Sequence, residues 1–170
     1  IQIYRFSADH CDWTETDEKI SKKHLGGKGA ALVKMAQEGL PVPPGFTIPT
    51  TKCIEYMNLP EKKREKFIDS VLGDALAGMQ WLTKQFGYTP LVSVRSGAPV
   101  SMPGMMDTIL NVGLTDDNLP EWSDRIGPRA ALDSQRRLIQ MLGSTAYGVP
   151  HEVFEFQLAK VKKEAGVEAD

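Results

Sequence analysis

A long helical pattern between residues 61 and 87 restricts the fold of this chain more than any other feature. Apolar residues recur there at steps of three and four positions: Phe67, Ile68, Val71, Leu72, Ala75, Met79, Leu82 and Phe86. This spacing is that of an amphipathic helix, and Pro90 follows as the breaker because proline cannot continue a helix. A helix of this length needs other elements to cover its apolar face, so the chain has to fold around it.

Shorter patterns on both sides of this helix alternate between strand and helix. The predicted strands cover residues 1–6, 46–48 and 91–96, and the predicted helices cover residues 30–36, 50–57, 133–142 and 151–164. Thr50 or Thr51 is the expected cap of the second of these helices, and Asp133 with Ser134 that of the third. Residues 97–114 and 116–128 are predicted as loops. The elements show no regular strand–helix–strand rhythm, which favours an α+β fold.

Composition excludes several classes of protein. Of the 170 residues 41% are apolar and 25% charged, and the net charge is −2. Enough apolar surface is therefore available for a core, and bulk charge does not favour a nucleic-acid partner. No apolar run approaches the roughly 18 residues needed to cross a bilayer, so no membrane partner is expected. We expect one domain over residues 1–170 with an N-terminal arm at 1–24, in a cytoplasmic protein.

A glycine-rich turn, Leu25-Gly26-Gly27-Lys28-Gly29-Ala30, opens the helix predicted at residue 30. Backbone N–H groups at a helix start carry partial positive charge, and Lys28 adds a full one, so the turn could bind phosphate. The spacing differs from both common phosphate-loop patterns. The alternative is a flexible helix start with a solvated lysine, and the motif taken alone slightly favours that alternative.

Arg95 lies at the carboxyl end of a predicted strand, and Ser96 and Gly97 follow it. A strand end is a rigid support, and the guanidinium fork matches phosphate oxygens. Glycine at residue 97 lets a ligand approach the backbone closely. The alternative is an arginine on the solvent face of the strand, paired with a surface carboxylate. The two interpretations are equally supported by the sequence.

The segment 99–113 is too apolar for an ordinary exposed connection, because proline and glycine bracket three methionines. It is interpreted either as a loop that covers a substrate or as a buried methionine-rich linker, and composition favours the linker. Arg136 and Arg137 are consecutive in a predicted helix and lie about 100° apart around its axis. At most one of them is therefore expected to face a ligand. No catalytic pair and no metal-ligand spacing is present.

Four segments in this order resemble the N-terminal nucleotide-binding region of pyruvate, phosphate dikinase, and more loosely phosphoenolpyruvate synthase. They are LGGKGA at residues 25–30, GLPVPPGFTI at 39–48, SVRSGA at 93–98 and SMPGMMDTILN at 101–111. The block DSQRRLIQM at 133–141 matches as well. The resemblance extends from about residue 25 to residue 166, and the first two dozen residues match poorly.

The resemblance implies the first subdomain of an ATP-grasp domain, which binds ATP with Mg²⁺. It places Lys28 and Arg95, with the main chain of Gly27 and Gly29, on the ATP phosphates. Arg136 and Arg137 become possible phosphate contacts. The active-site loop of the family falls on Ser101, Met102, Pro103, Gly104, Asp107 and Thr108.

Two functions follow as hypotheses. In the first, the chain holds the ATP phosphates for transfer to a histidine on another domain or chain. A second ATP-grasp half would supply the metal ligands, so this chain alone would not perform the full reaction. In the second, the chain is a stand-alone, non-catalytic module that binds and modulates a dikinase or another ATP-grasp partner.

Overall fold

The computed structural model describes residues 3–97 and 108–167. Within these ranges the chain forms, in order, β1 (Tyr4–Ser7), β2 (His10–Cys11), α1 (Glu18–Gln37), β3 (Gly45–Thr47), α2 (Thr50–Asn58), α3 (Glu61–Phe86), β4 (Val92–Val94), β5 (Ile109–Val112), α4 (Leu119–Ile126), α5 (Pro128–Tyr147) and α6 (His151–Glu164). Helices combined with small antiparallel sheets confirm the α+β prediction. No helix in the described ranges is long and apolar enough to span a membrane.

The described residues divide into two compact units. The N-terminal unit comprises residues 3–90 with 96–97, and the C-terminal unit comprises residues 91–95 with 108–167. The chain passes from the C-terminal unit back to the N-terminal unit between Arg95 and Ser96.

The N-terminal unit is built on a three-stranded antiparallel sheet of order β2-β1-β3. In this sheet Arg5 lies opposite Phe46, and Phe6 lies opposite Gly45. The core between the sheet and α1 consists of Phe6, Leu25, Val33, Ala36 and Val42. These side chains come from β1, from the middle and the C-terminal part of α1 and from the proline-rich segment after it, so the core connects those parts of the sequence.

Helix α3 confirms the longest predicted element, and Gly87 ends it in a left-handed conformation with φ of 73°. Its contact with the sheet is made at Gly78, where an added Cβ atom would lie 2.6 Å from the ring of Phe46. Only part of its apolar face is covered within the described residues. Leu82 is buried, whereas Leu72 and Leu76 are each 60% exposed.

The C-terminal unit combines the antiparallel pair β4–β5 with three helices. Ile109, Leu114 and Leu138 form its core, so β5 and the loop after it pack on α5. Helix α6 packs on α5 where Gly143 lies against Phe154: an added Cβ atom at Gly143 would come within 2.5 Å of the ring.

Four predictions for the C-terminal unit are wrong. Strand β5 and helix α4 lie inside the predicted loops, and α5 extends beyond both ends of the predicted helix, passing through Gly143. Because α5 begins at Pro128, Asp133 lies inside the helix and cannot cap it. Strand β5 reads Ile-Leu-Asn-Val, which does not alternate apolar and polar residues, and α4 carries a proline in its first turn, a residue that also marks loops. Packing against α5, rather than local preference, therefore stabilises β5 and α4.

Two predictions for the N-terminal unit are also corrected. Helix α1 begins at Glu18, well before residue 30, and Asp17 caps it by accepting bonds from the N–H groups of Lys19 and Ile20. Its first turns are polar on most sides, so no apolar pattern marks them. No side chain caps α2, because its N-cap residue is Pro49, which has no side-chain acceptor. Thr50 is already the first helical residue, and its hydroxyl donates to the carbonyl of Lys23 in α1 at 2.5 Å.

An ion pair closes the hairpin between β1 and β2. The carboxylate of Asp12 accepts bonds from Arg5 Nε at 2.8 Å, Arg5 Nη2 at 3.1 Å and the Arg5 backbone N–H at 2.9 Å. The ring of His10 contacts the same carboxylate at 2.8 Å. Burial opposes ionisation of Asp12, but the bonds from Arg5 and His10 outweigh it and lower its pKa to about 2.

This lowered pKa predicts a pH-dependent contribution to stability. A carboxylate with a depressed folded-state pKa stabilises the fold above its unfolded pKa, near 4, and loses that effect as the pH falls toward 2. Arg5 is partly exposed, so solvent screening reduces the contribution to about 1–2 kcal/mol. Urea unfolding should show Asp12→Asn less stable by this amount at pH 6, with the difference shrinking between pH 4 and pH 2. The exposed Asp9→Asn is the control, and a difference that stays constant with pH would contradict the prediction.

Candidate functional site

A break in α1 at Gly26 shapes the glycine-rich turn. The backbone of Gly26 has φ of 72° and ψ of 169°, a conformation that essentially only glycine adopts. The backbone of Gly97 lies against it: an added Cβ atom at Gly26 would be 2.6 Å from the Gly97 carbonyl carbon and 2.8 Å from its oxygen. Both the conformation and the close contact therefore require glycine at residue 26.

The helix resumes directly after this break. Gly27, Lys28 and Gly29 belong to the first turn of the resumed helix, a position where N–H groups commonly lack acceptors within the helix. The Lys28 side chain is exposed and forms no ion pair with any described residue. Gly29 is buried, and an added Cβ atom there would lie 3.2 Å from Leu25 and from Thr47. Among the described residues the turn thus combines a lysine without an ion-pair partner with a tightly packed base.

Arg95 follows β4 directly, as the sequence predicts, and its side chain is exposed. It forms no ion pair with a carboxylate among residues 3–97 and 108–167, so these ranges do not contain the surface partner of the alternative interpretation. Of the predicted loop residues, Thr108 is half-buried immediately before β5. The other predicted loop residues, Ser101, Met102, Pro103, Gly104 and Asp107, lie outside the described residues.

Arg136 and Arg137 are both held by one carboxylate on α5. Asp133 Oδ1 accepts bonds from Arg136 Nε at 3.1 Å and Nη2 at 2.6 Å, and Oδ2 accepts from Arg137 Nε at 2.7 Å. These bonds, first from Arg137 and then from Arg136, lower the pKa of Asp133. One carboxylate can hold both arginines because Asp133 lies three and four positions before them, between their directions on the helix surface. That at most one of them faces a ligand stays a prediction.

The same side chains line a groove of about 710 Å³ in the C-terminal unit. Arg129 from the first turn of α5 and Lys162 from α6 lie along it with Arg136 and Arg137, and Asp133 is its one acidic lining residue. Sequence reasoning missed Arg129 and Lys162. Neither belongs to a recognisable motif, and only the packing of α6 on α5 brings Lys162 to this groove.

The described residues contain no group of three histidine, cysteine, aspartate or glutamate side chains that could hold a metal ion. For this reason no metal ligand is assigned within residues 3–97 and 108–167.

Comparison with known proteins shows which protein family this chain is similar to. Residues 22–78 match the family described as pyruvate phosphate dikinase, AMP/ATP-binding domain. A pyruvate, phosphate dikinase of Rhizobium meliloti is 43% identical over 177 aligned positions, which cover 99% of this chain and 19% of the relative. Chloroplastic enzymes of that name from Flaveria pringlei and Zea mays are 42% and 41% identical, over 89% of this chain and 16% of their own length.

The chain therefore spans less than a fifth of the length of the curated relatives it matches. The matched family covers α1, where the glycine-rich turn lies, and extends into α3. The resemblance that the motifs predict is confirmed: this chain is related to pyruvate, phosphate dikinase over most of its length.

Proposed function

We propose that this chain is the ATP-binding portion of a dikinase-like phosphotransferase and that its glycine-rich turn binds the ATP phosphates. One observation carries the proposal: the break at Gly26 starts a new helix whose first turn holds Lys28, which is exposed and forms no ion pair within residues 3–97 and 108–167. Anions bind readily at such helix starts, because free N–H groups and the helix dipole both favour negative charge. The match of residues 22–78 to an AMP/ATP-binding domain supports ATP as the source of that anion.

The side chains and backbone groups at this turn are of the types that phosphoryl transfer requires. In phosphoryl transfer the protein mainly positions the phosphates and neutralises their charge. Lys28 supplies a point charge, and the N–H groups of Gly27 and Gly29 supply directional donors. We assign Arg95 a phosphate-binding role as well, on the strength of the family resemblance and of its exposed guanidinium.

The remaining parts of the reaction are assigned outside the described residues. We propose an ATP-grasp arrangement in which a second ATP-grasp half, on the same polypeptide or on a partner chain, supplies the carboxylates for Mg²⁺. The phosphoryl acceptor is proposed to be a histidine on another domain or chain. This chain spans less than a fifth of its relatives' length, which supports the proposal that other parts of the enzyme supply the metal ligands and the phosphoryl acceptor.

Replacing Lys28 by alanine tests the proposal. A charge-assisted hydrogen bond to phosphate contributes roughly 1.5–3 kcal/mol, so Lys28→Ala should weaken ATP binding by about tenfold or more. Isothermal titration calorimetry of ATP into the 170-residue chain measures the change. Lys28→Arg, which keeps the charge, should retain most of the affinity.

The matched control is Lys34→Ala, which removes another exposed lysine from α1 without touching its glycine-rich turn. It lowers the net charge equally, so it isolates the effect of position. If Lys34→Ala weakens ATP binding as much as Lys28→Ala does, the glycine-rich turn is not the phosphate site.

A further inference from the structure

We propose that Asn111 in β5 is a positioning residue that sets the direction of the Arg95 side chain at the end of β4. The inference rests on the proposed function, in which Arg95 binds the ATP phosphates. It involves only the C-terminal unit, to which β4, Arg95 and β5 all belong. Its basis is an irregularity in the pairing of the two strands at Asn111, which is, glycines aside, the one residue of the described ranges with a positive φ.

The register between β4 and β5 changes within the strand pair. Val92 lies opposite Val112. Two positions further along β4, Val94 lies opposite Ile109, which is three positions away from Val112. Strand β5 therefore contains one extra residue between the two pairs. This is the arrangement of a β-bulge, in which two residues of one strand oppose a single residue of the other.

The bulge allows two side chains of β5 to reach the same core. In a regular strand, residues three positions apart point to opposite faces. Ile109 is nevertheless buried in the core of the C-terminal unit, and Val112 packs against that core. Leu110, which lies between them, is 42% exposed. The extra residue makes this packing possible, and it also fixes which residue of β4 lies opposite which residue of β5.

Asn111 supplies the backbone conformation of the bulge. Its φ is 60°, in the left-handed region, where asparagine is more frequent than most other residues that carry a side chain. Its side-chain amide donates to the carbonyl of Ser134 in α5 at 3.4 Å, and its own carbonyl accepts a bond from the N–H of Leu114 at 3.1 Å. The bulge is therefore attached both to α5 and to the turn after β5.

The direction of Arg95 depends on this register because Arg95 follows Val94 directly. The pair of Val94 with Ile109 is the last one before β4 ends. A slip by one residue would place Val94 opposite Leu110 and would turn the end of β4 relative to β5. Bulges occur often beside active sites, where they redirect a side chain in this way. Asn111 thus acts on ATP binding through Arg95 and not by touching the nucleotide.

A double-mutant cycle of Asn111→Val with Arg95→Ala tests the inference. Valine strongly disfavours a positive φ, so Asn111→Val should weaken ATP binding about tenfold in isothermal titration calorimetry. In the Arg95→Ala background the same substitution should change the affinity by less than about twofold, because the side chain that it positions is already absent. Asn111→Gly should retain most of the affinity, since glycine adopts a positive φ freely.

Nuclear magnetic resonance of the isotope-labelled chain reports the register without ATP. The unmodified chain and Asn111→Gly should both show the cross-strand contact between Val94 and Ile109, and Asn111→Val should lose it. If Asn111→Val does not fold, Asn111→Ala takes its place in both experiments, because alanine is less strained there than a β-branched residue. The matched control is Leu110→Val, which changes the exposed neighbour of Asn111 and should preserve both the contact and the ATP affinity.

The outcomes separate this inference from the proposed function. If Arg95→Ala weakens ATP binding and Asn111→Val does not, this inference fails and the phosphate role of Arg95 stands. If Arg95→Ala leaves ATP binding unchanged, the proposed role of Arg95 fails and the inference fails with it. Equal weakening by Asn111→Val with and without Arg95, or by Leu110→Val, also overturns the inference, because the effect would then not act through Arg95.

Discussion

Gly26→Ala is expected to lower the free energy of unfolding by roughly 3 kcal/mol. The backbone of Gly26 occupies a region that is nearly closed to other residues, with φ of 72° and ψ of 169°. A methyl group there would also lie 2.6–2.8 Å from three backbone atoms of Gly97. Backbone atoms cannot move aside as a flexible side chain can, so α1 or the segment at Gly97 has to shift. Urea denaturation followed by circular dichroism measures the loss.

Gly39→Ala separates the two causes. Gly39 also has a positive φ of 75°, but no heavy atom lies within 4 Å of an added Cβ atom. Its alanine variant should lose only the strain of the left-handed conformation, about 1 kcal/mol. If the two variants lose equal stability, the contact between Gly26 and Gly97 contributes nothing. Isothermal titration calorimetry of the two variants should show weaker ATP binding for Gly26→Ala alone, because only the break at Gly26 lies next to Lys28.

Leu25→Ala is expected to cost about 3 kcal/mol of stability. Leu25 is 1% exposed and belongs to the core with Phe6, Val33, Ala36 and Val42. It is also the residue directly before the break, so its side chain anchors the glycine-rich turn to the sheet. Truncation leaves a cavity that close-packed neighbours fill only in part. Equilibrium unfolding in urea gives the magnitude.

The matched control is Leu72→Ala, which makes the same chemical change on α3 at a position 60% exposed. It should change the stability of this chain by less than about 0.5 kcal/mol. Similar losses for both variants would show that the core is not where the structure places it.

Long amphipathic helices were predictable from the sequence because their apolar spacing repeats over many turns. The apolar period of α3 runs through most of its 26 residues, and Gly87 marks its end by its conformational freedom. Helix α6 was predictable for the same reason. The proline-rich segment before β3 excluded a helix because proline lacks the N–H group that a helix requires.

Short or polar elements were not predictable in this way. Helix α4 carries a proline in its first turn, which also marks loops, and the first turns of α1 carry few apolar side chains. Asp133 looked like a helix cap because its side chain favours that role, yet in the folded chain it binds two arginines inside α5. Local preference could not decide between these roles, since both use the same carboxylate.

At the candidate site, too, some features follow from the sequence and others only from the tertiary structure. The sequence by itself determined the α+β class, the longest helix and the relationship to pyruvate, phosphate dikinase, because these depend on local periodicity and on ordered motifs. Only the tertiary structure decided that Gly26 breaks α1 against Gly97 and that Lys162 joins Arg129 at one groove. Contacts between residues far apart in the chain depend on how helices and strands pack, and packing follows from the fit of whole surfaces.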